Sequence, residues 1–116
     1  MGARVFFNLK QSSGNYISLY SHWGEESRHT DLAIALDHAR PRWSDESYCA
    51  RIVVSQLIGE DWNSETGYGL WAGTQGMYDE VAIDVDLELQ TVTDEIGTHS
   101  YDEFIAYTTG AKLTKA

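Results

Sequence analysis

Two short runs open the chain, RVFFNL at 4–9 and YISLY at 16–20, both rich in aromatic and β-branched residues and separated by the turn formers QSSGN. They predict a β-hairpin. In the second run Tyr16, Ser18 and Tyr20 share one face, with Ile17 and Leu19 on the other. After the polar loop SHWGEESRH the spacing becomes helical: Leu32, Leu36 and Ala39 line one face, Thr30 is placed to cap, and Asp31 suits the positive helix start. Pro41 disfavours helical geometry at Arg40 and ends this helix. A second helix is capped by Ser44 or Asp45 and stopped by Gly59. Tyr48, Cys49, Ile52, Val53 and Leu57 cover one broad side of it, and Ala50, Val54 and Ile58 cover much of the rest. Ser47, Arg51 and Ser55 form only a narrow strip, so the pattern predicts a helix buried on most of its circumference and an Arg51 that must be paired.

Residues 60–69, EDWNSETGYG, are rich in turn formers; GLWAG starts a strand, and TQG turns the chain back. From Val81 the apolar residues alternate through Ile83, Val85, Leu87 and Leu89 against Asp84, Asp86, Glu88 and Gln90. A turn at Glu88-Leu89, with QTVTDEI returning as a further strand, fits ordinary strand lengths better than one strand running to Val92. Ser100 and Glu103 make a capping box for a short helix, SYDEFIAY, and 110–116 read as a frayed tail. The predicted order is ββααβββα. That is a single α+β domain over 1–116: an antiparallel sheet of about five strands with two central helices packed on one face.

Charge alters this picture more than composition does. At 42% hydrophobic and 22% charged, the 116 residues can bury one modest core. The formal net charge is −10, yet acids and bases cancel over residues 1–58, and the excess lies entirely in 59–116. All five arginines (Arg4, Arg28, Arg40, Arg42 and Arg51) fall in the first half. A duplex binder carries a basic stripe and a high pI, so direct nucleic-acid binding is not expected. Cys49 is the only cysteine, which rules out an internal disulfide, suits a reducing cytosol and marks an inert core thiol. No apolar run reaches membrane-spanning length, and MGARVFFNLKQ lacks the apolar stretch of a secretory signal.

One group of residues combines guanidinium forks, which suit phosphate oxygens, with aromatic faces, which suit bases: His22, Trp23, Arg28, Arg40, Arg42, Trp43, Tyr48 and Arg51. The plainer alternative makes Trp23 and Trp43 core anchors and leaves the arginines to neutralise Asp31, Asp37, Asp45 and Glu46. Asp84, Asp86 and Glu88 at alternate positions are either a divalent-ion site or, more usually, the solvent face of a sheet. His22, His29, His38 and His99 include no HExxH and no pair at metal spacing, so no metal or other cofactor is expected. GxSxG, GxGxxG and GxxxxGK[ST] do not occur.

With LYSHWG at 19–24, RWxDxxYxxR at 42–51 and ETGYG at 65–69, the chain resembles, over residues 4–92, a family of small tailed-bacteriophage proteins that carries no assigned activity. Glu25-Glu26 stands where the resemblance implies a second glycine after Gly24, which implies a stiffer loop here. The resemblance implies a small, cytosolic, non-structural phage protein, a class that often counters host defence, in the cytoplasm of the infected bacterium. Joined to the arginine–aromatic group, it predicts a non-catalytic sponge that sequesters a nucleotide-type immune signal. Nanomolar sequestration requires about −12 kcal/mol. An arginine–phosphate contact supplies ~1.5–3 kcal/mol and a base stack ~1–3, while association costs at least ~4. A chain this small reaches that target more readily at a subunit interface, so a homo-oligomer with symmetric sites is expected. Two other classes stand beside it: an acidic decoy for the nucleic-acid cleft of a defence protein, and a small hydrolase of nucleotide signals using His22 and a carboxylate such as Glu65.

Overall fold

The computed structural model describes residues 4–109. The hairpin forms as expected from β1 (Val5–Lys10) and β2 (Tyr16–Ser21). α1 (Arg28–His38) follows, then a 3-10 turn at Arg40–Arg42 and α2 (Glu46–Ile58). The chain continues through β3 (Tyr68–Gly73), β4 (Val81–Asp86), β5 (Thr91–Thr93), β6 (Thr98–Ser100) and α3 (Tyr101–Thr109). The α+β class is as predicted, but the sheet has six strands, in the order β3-β2-β1-β4-β5-β6, and it is mixed: β1 and β4 run parallel. The additional strand is β6, three residues that end where α3 begins.

The parallel pairing has one cause. TQG does not fold β3 back onto β4. Gly73 lies level with Tyr16 and Lys10 at one end of the sheet, while Val81 lies level with Val5 at the other. Residues 74–80 therefore run the length of the sheet and across β2 and β1, on the face opposite the helices. β1 is thus covered on both sides, and its first five residues are all buried. Val5, Phe7 and Leu9 meet the helical layer, packing with Leu19, Ile83 and Val85 against Leu32, Leu36, Val53, Phe104 and Ile105. The buried alanines Ala33, Ala35, Ala39 and Ala50 let the helices approach each other closely.

Local rules explain most boundaries. Asp45 caps α2 by accepting the Tyr48 N–H, and Gly59 ends it at φ 59°. Ser100 Oγ accepts the Glu103 N–H at 3.1 Å while the Glu103 carboxylate accepts the Ser100 N–H at 3.0 Å, a complete capping box. The turn at Glu88-Leu89 also forms, pinned by Asp86 Oδ1, which accepts both amides. α1 starts at Arg28 after Ser27, ahead of the expected Thr30 cap. The predicted tail at 110–116 lies outside the described residues. The reading of α2 needs correction: Cys49, Ala50 and Val53 are buried, but Ile52, Val54, Leu57 and Ile58 are only half-buried and Arg51 is exposed. The wheel predicted burial on most sides, whereas one flank of α2 borders an open groove beside β3.

Asn8 holds the crossover in place. Its side chain is wholly buried on the face away from the helices. Oδ1 accepts from Ser18 Oγ at 2.6 Å and from the Met77 N–H at 3.0 Å. Nδ2 donates to the Met77 carbonyl at 3.1 Å and to Asp84 Oδ1 at 3.0 Å. All four of the amide's hydrogen-bonding positions are used. Asn8→Ala leaves the Ser18, Met77 and Asp84 groups without that partner and is expected to cost about 2–4 kcal/mol in urea denaturation. Lys10→Ala, on the same strand but exposed, is expected to change stability by less than about 0.5 kcal/mol.

Candidate functional site: an aromatic row on the open sheet face

The group singled out in the sequence is not gathered into one site. Arg28 and Arg40 lie at opposite ends of α1. Arg28 donates to the Glu25 carbonyl at 2.6 Å and faces Glu95 at 3.5 Å. Arg40 forms ion pairs with Asp37 at 2.9 Å and Asp102 at 2.8 Å and stacks over Trp43. Trp43 is an anchor: its indole donates to the Leu36 carbonyl at 2.9 Å and meets Tyr101 edge-on. Arg42 lies over the Tyr48 ring at 4.9 Å. Arg51 reaches only Ser55, at 3.3 Å, and no carboxylate pairs with it among the described residues. The expectation of a buried, obligatorily paired Arg51 is therefore corrected. The RWxDxxYxxR pattern mostly builds the turn and cap between α1 and α2.

His22 and Trp23 belong to a different assembly, on the open face of the sheet. The His22 N–H donates to the Gly67 carbonyl at 2.9 Å, which brings LYSHWG and ETGYG side by side. Glycine at 67 and 69 leaves room for the rings that lie above them. A Cβ at Gly67, where φ is +99°, would lie 3.0 Å from Trp23 Cζ3, and one at Gly69 would lie 3.0 Å from Trp71 Cζ3. Tyr20 O–H and His22 Nδ1 share a 2.7 Å hydrogen bond, and the His22 and Trp23 rings meet edge to face at 4.7 Å. Tyr20 and Trp71 also meet edge to face, with Phe6 buried against both. The product is a row running Trp23, His22, Tyr20, Trp71, in which Trp23 is 66% exposed and Trp71 46%. Beyond Trp71 a cleft of about 220 Å³ opens against the crossover, lined by Ser18, Ala72, Gly73, Thr74, Gln75 and Met77.

Such a row offers flat apolar faces for a ring, with His22 Nε2, Thr74 and Gln75 as polar groups at its margins. Trp71 and Tyr20 are the members that sequence reasoning missed. The clue was the pair of glycines at alternate positions, 67 and 69, opposite the aromatic face of β2.

A second cluster, also missed, surrounds Asp94 in the β5–β6 turn. Its wholly buried side chain accepts from the Ile96 and Gly97 amides, from His99 at 3.1 Å and from the Tyr107 hydroxyl at 2.9 Å. His29 Nε2 stands 3.7 Å from it and 3.1 Å from Glu95. His29, Asp94 and Glu95 are close enough to share a metal ion. However, Asp94 already accepts four hydrogen bonds, and Arg28 faces Glu95, so the cluster is fully accounted for as a lock between α1, the turn and α3. Two of the three acids at 84–88 are likewise committed: Asp84 accepts from Asn8 and from the Tyr78 hydroxyl at 3.1 Å, and Asp86 caps the turn. This leaves less of that face to an acidic decoy or a cation. Burial pushes the Cys49 thiol up to about 11, as an inert core thiol requires. No helix among the described residues is long and apolar enough to cross a membrane. Compared with family models, curated proteins and solved structures, the chain matches none.

Burial pushes the Asp94 carboxyl upward, but hydrogen bonds from His99, Tyr107 and the two amides outweigh it and hold the group below the ordinary carboxylate range. Its stabilising contribution is therefore full above the unfolded-state value of about 3.9 and is lost as pH falls through the lower folded value. At neutral pH, Asp94→Asn is expected to cost about 1.5–3 kcal/mol in urea denaturation. The gap between variant and parent should then narrow as the titration proceeds into acid.

Proposed function

We propose that this protein is a non-catalytic binder of a ring-bearing, nucleotide-like ligand, and that the aromatic row and its adjoining cleft form the binding surface. The observation that carries this reading is the pair of tryptophans laid over Gly67 and Gly69 and left open to solvent. Exposed indoles laid over glycine and packed against a hydrogen-bonded Tyr–His pair are pre-organised for stacking, which lowers the ordering cost of binding. His22 Nε2 then serves as the polar contact to the ligand, with Thr74 and Gln75 at the cleft. The arginines take a smaller part than their spacing suggested, because Arg28 and Arg40 already have partners. The resemblance of LYSHWG, RWxDxxYxxR and ETGYG to small phage proteins supports a cellular setting for this binder: the cytoplasm of an infected bacterium, where it acts as a sponge for a nucleotide immune signal. The hydrolase alternative has less support, since His22 Nδ1 is held by Tyr20 and no hydrogen bond joins His22 to Glu65 among the described residues.

Calorimetry with cyclic dinucleotides, cyclic oligonucleotides and ADP-ribose derivatives should find at least one submicromolar ligand, recovered intact afterwards. Trp23→Ala and Trp71→Ala should each weaken it by the ~1–3 kcal/mol of one stack. Arg40→Ala should leave binding unchanged. Absence of binding across the panel sinks the proposal.

A further inference from the structure

Among the described residues no strand pairs with the outer side of β3, and its N–H and C=O directions follow from the register. The His22 N–H bond to Gly67 fixes the alternation, so residues 67, 69, 71 and 73 turn their polar groups toward β2. The Gln11 N–H bond to Asn15 gives the same phase independently, because it assigns Ile17 and Leu19 to β1 and leaves Tyr16, Ser18 and Tyr20 for β3. Tyr68, Leu70 and Ala72 therefore point their N–H and C=O groups outward. Soluble proteins usually blunt such an edge with charge, proline or a bulge. YGLWAG has no charge and no proline, in a chain whose net charge is −10. The opposite edge, β6, has only three residues and leads directly into α3.

The groove between α2 and β3 lies on the helical side of this edge. At the Ala72 end Ile17, Ala50, Val54 and Arg51 line it, and at the Tyr68 end Ile58, Trp62 and Asp61 do. Leu70 joins both halves and is 61% exposed, and Trp62 is 77% exposed.

We infer that β3 pairs antiparallel with β3 of a second copy, about a twofold axis at Leu70, to make one continuous sheet across two protomers. Residues directly opposite each other in such a pair point to the same face. The axis must therefore pass through a residue pair such as Leu70–Leu70 or Trp71–Trp71. Only the Leu70 axis engages all three outward-facing residues, with Leu70 opposite Leu70 and Tyr68 opposite Ala72. It also sets Trp71 of each copy opposite Gly69 of the other, the glycine over which that copy's own Trp71 indole lies, and so brings the two aromatic rows together. Charge selects a second copy as the occupant. The twofold turns the Arg51 end of one groove toward the Asp61 end of the other, so the exposed cation meets an acid and no charge lies on the seam itself. The pairing holds whether or not a ligand stacks on the aromatic row.

Sedimentation velocity on the full chain over a wide concentration range should show a dimer. Leu70 is exposed in the protomer, so Leu70→Lys should keep the circular dichroism spectrum while weakening the dimer by more than about tenfold, through lost apolar burial and paired like charges. Register is tested by oxidation. In an antiparallel hydrogen-bonded pair the Cα atoms lie about 5.5 Å apart, within disulfide reach. Leu70→Cys should therefore cross-link two chains, whereas Trp71→Cys should not. A parent chain that stays monomeric throughout, a Leu70→Lys variant that dimerises as well as the parent, or cross-linking at 71 in preference to 70 each overturns the inference.

Discussion

A buried amide in the middle of the sheet decides how the remainder of this fold can be arranged. Asn8 sits on β1, between two neighbouring strands, on the face that the helices do not cover. A polar side chain wholly removed from water is tolerated only if its hydrogen bonds are replaced, and here the backbone of Met77 supplies two of the four. Residues 74–80 therefore have to lie across the sheet, and their position makes β4 the parallel neighbour of β1. The same crossover walls one side of the cleft next to Trp71.

This division separates the two faces of the sheet by role. The helical face carries the apolar core, and the arginines of the helical layer other than Arg51 are spent on ion pairs and on the turn and cap between α1 and α2. The open face carries the rings, supported by glycines that no other residue type could replace without moving an indole. Trp23, Trp62, Leu70 and Trp71 gather exposed apolar surface along β2 and β3, whereas Ile34, Leu89 and Ile96 are exposed singly elsewhere. The aromatic row is on one side of β3 and the apolar groove on the other.

Much of this was legible in the chain because the rules concerned are local. The hairpin, the Asp45 cap, the Gly59 stop, the Glu88-Leu89 turn and the Ser100–Glu103 capping box each depend on a few adjacent residues. The parallel pairing was not legible, since Thr74-Gln75-Gly76 carries the signature of a tight turn, and only the distant Asn8 shows that the chain must cross. α2 misled for a similar reason. A helical wheel reports which sides are apolar but not which have a neighbour, and Arg51 proved to border a groove. The spacing of Arg28, Arg40, Arg42 and Arg51 suggested a cluster, yet α1 separates Arg28 from the other three. His22 and Trp23 were identified, while their partner Trp71 lay hidden in an ordinary-looking strand.

In the proposed reading, recognition takes place on the open sheet face and not among the arginines. The four tryptophan indole N–H signals report on this in a single 1H–15N titration with a nucleotide ligand. Trp23 and Trp71 stand in the row, Trp43 is bonded to Leu36 beside Arg40, and Trp62 borders the groove. Shifts confined to Trp23 and Trp71 are the predicted result. Shifts at Trp43 and the arginine side chains, with Trp23 and Trp71 unmoved, would contradict it.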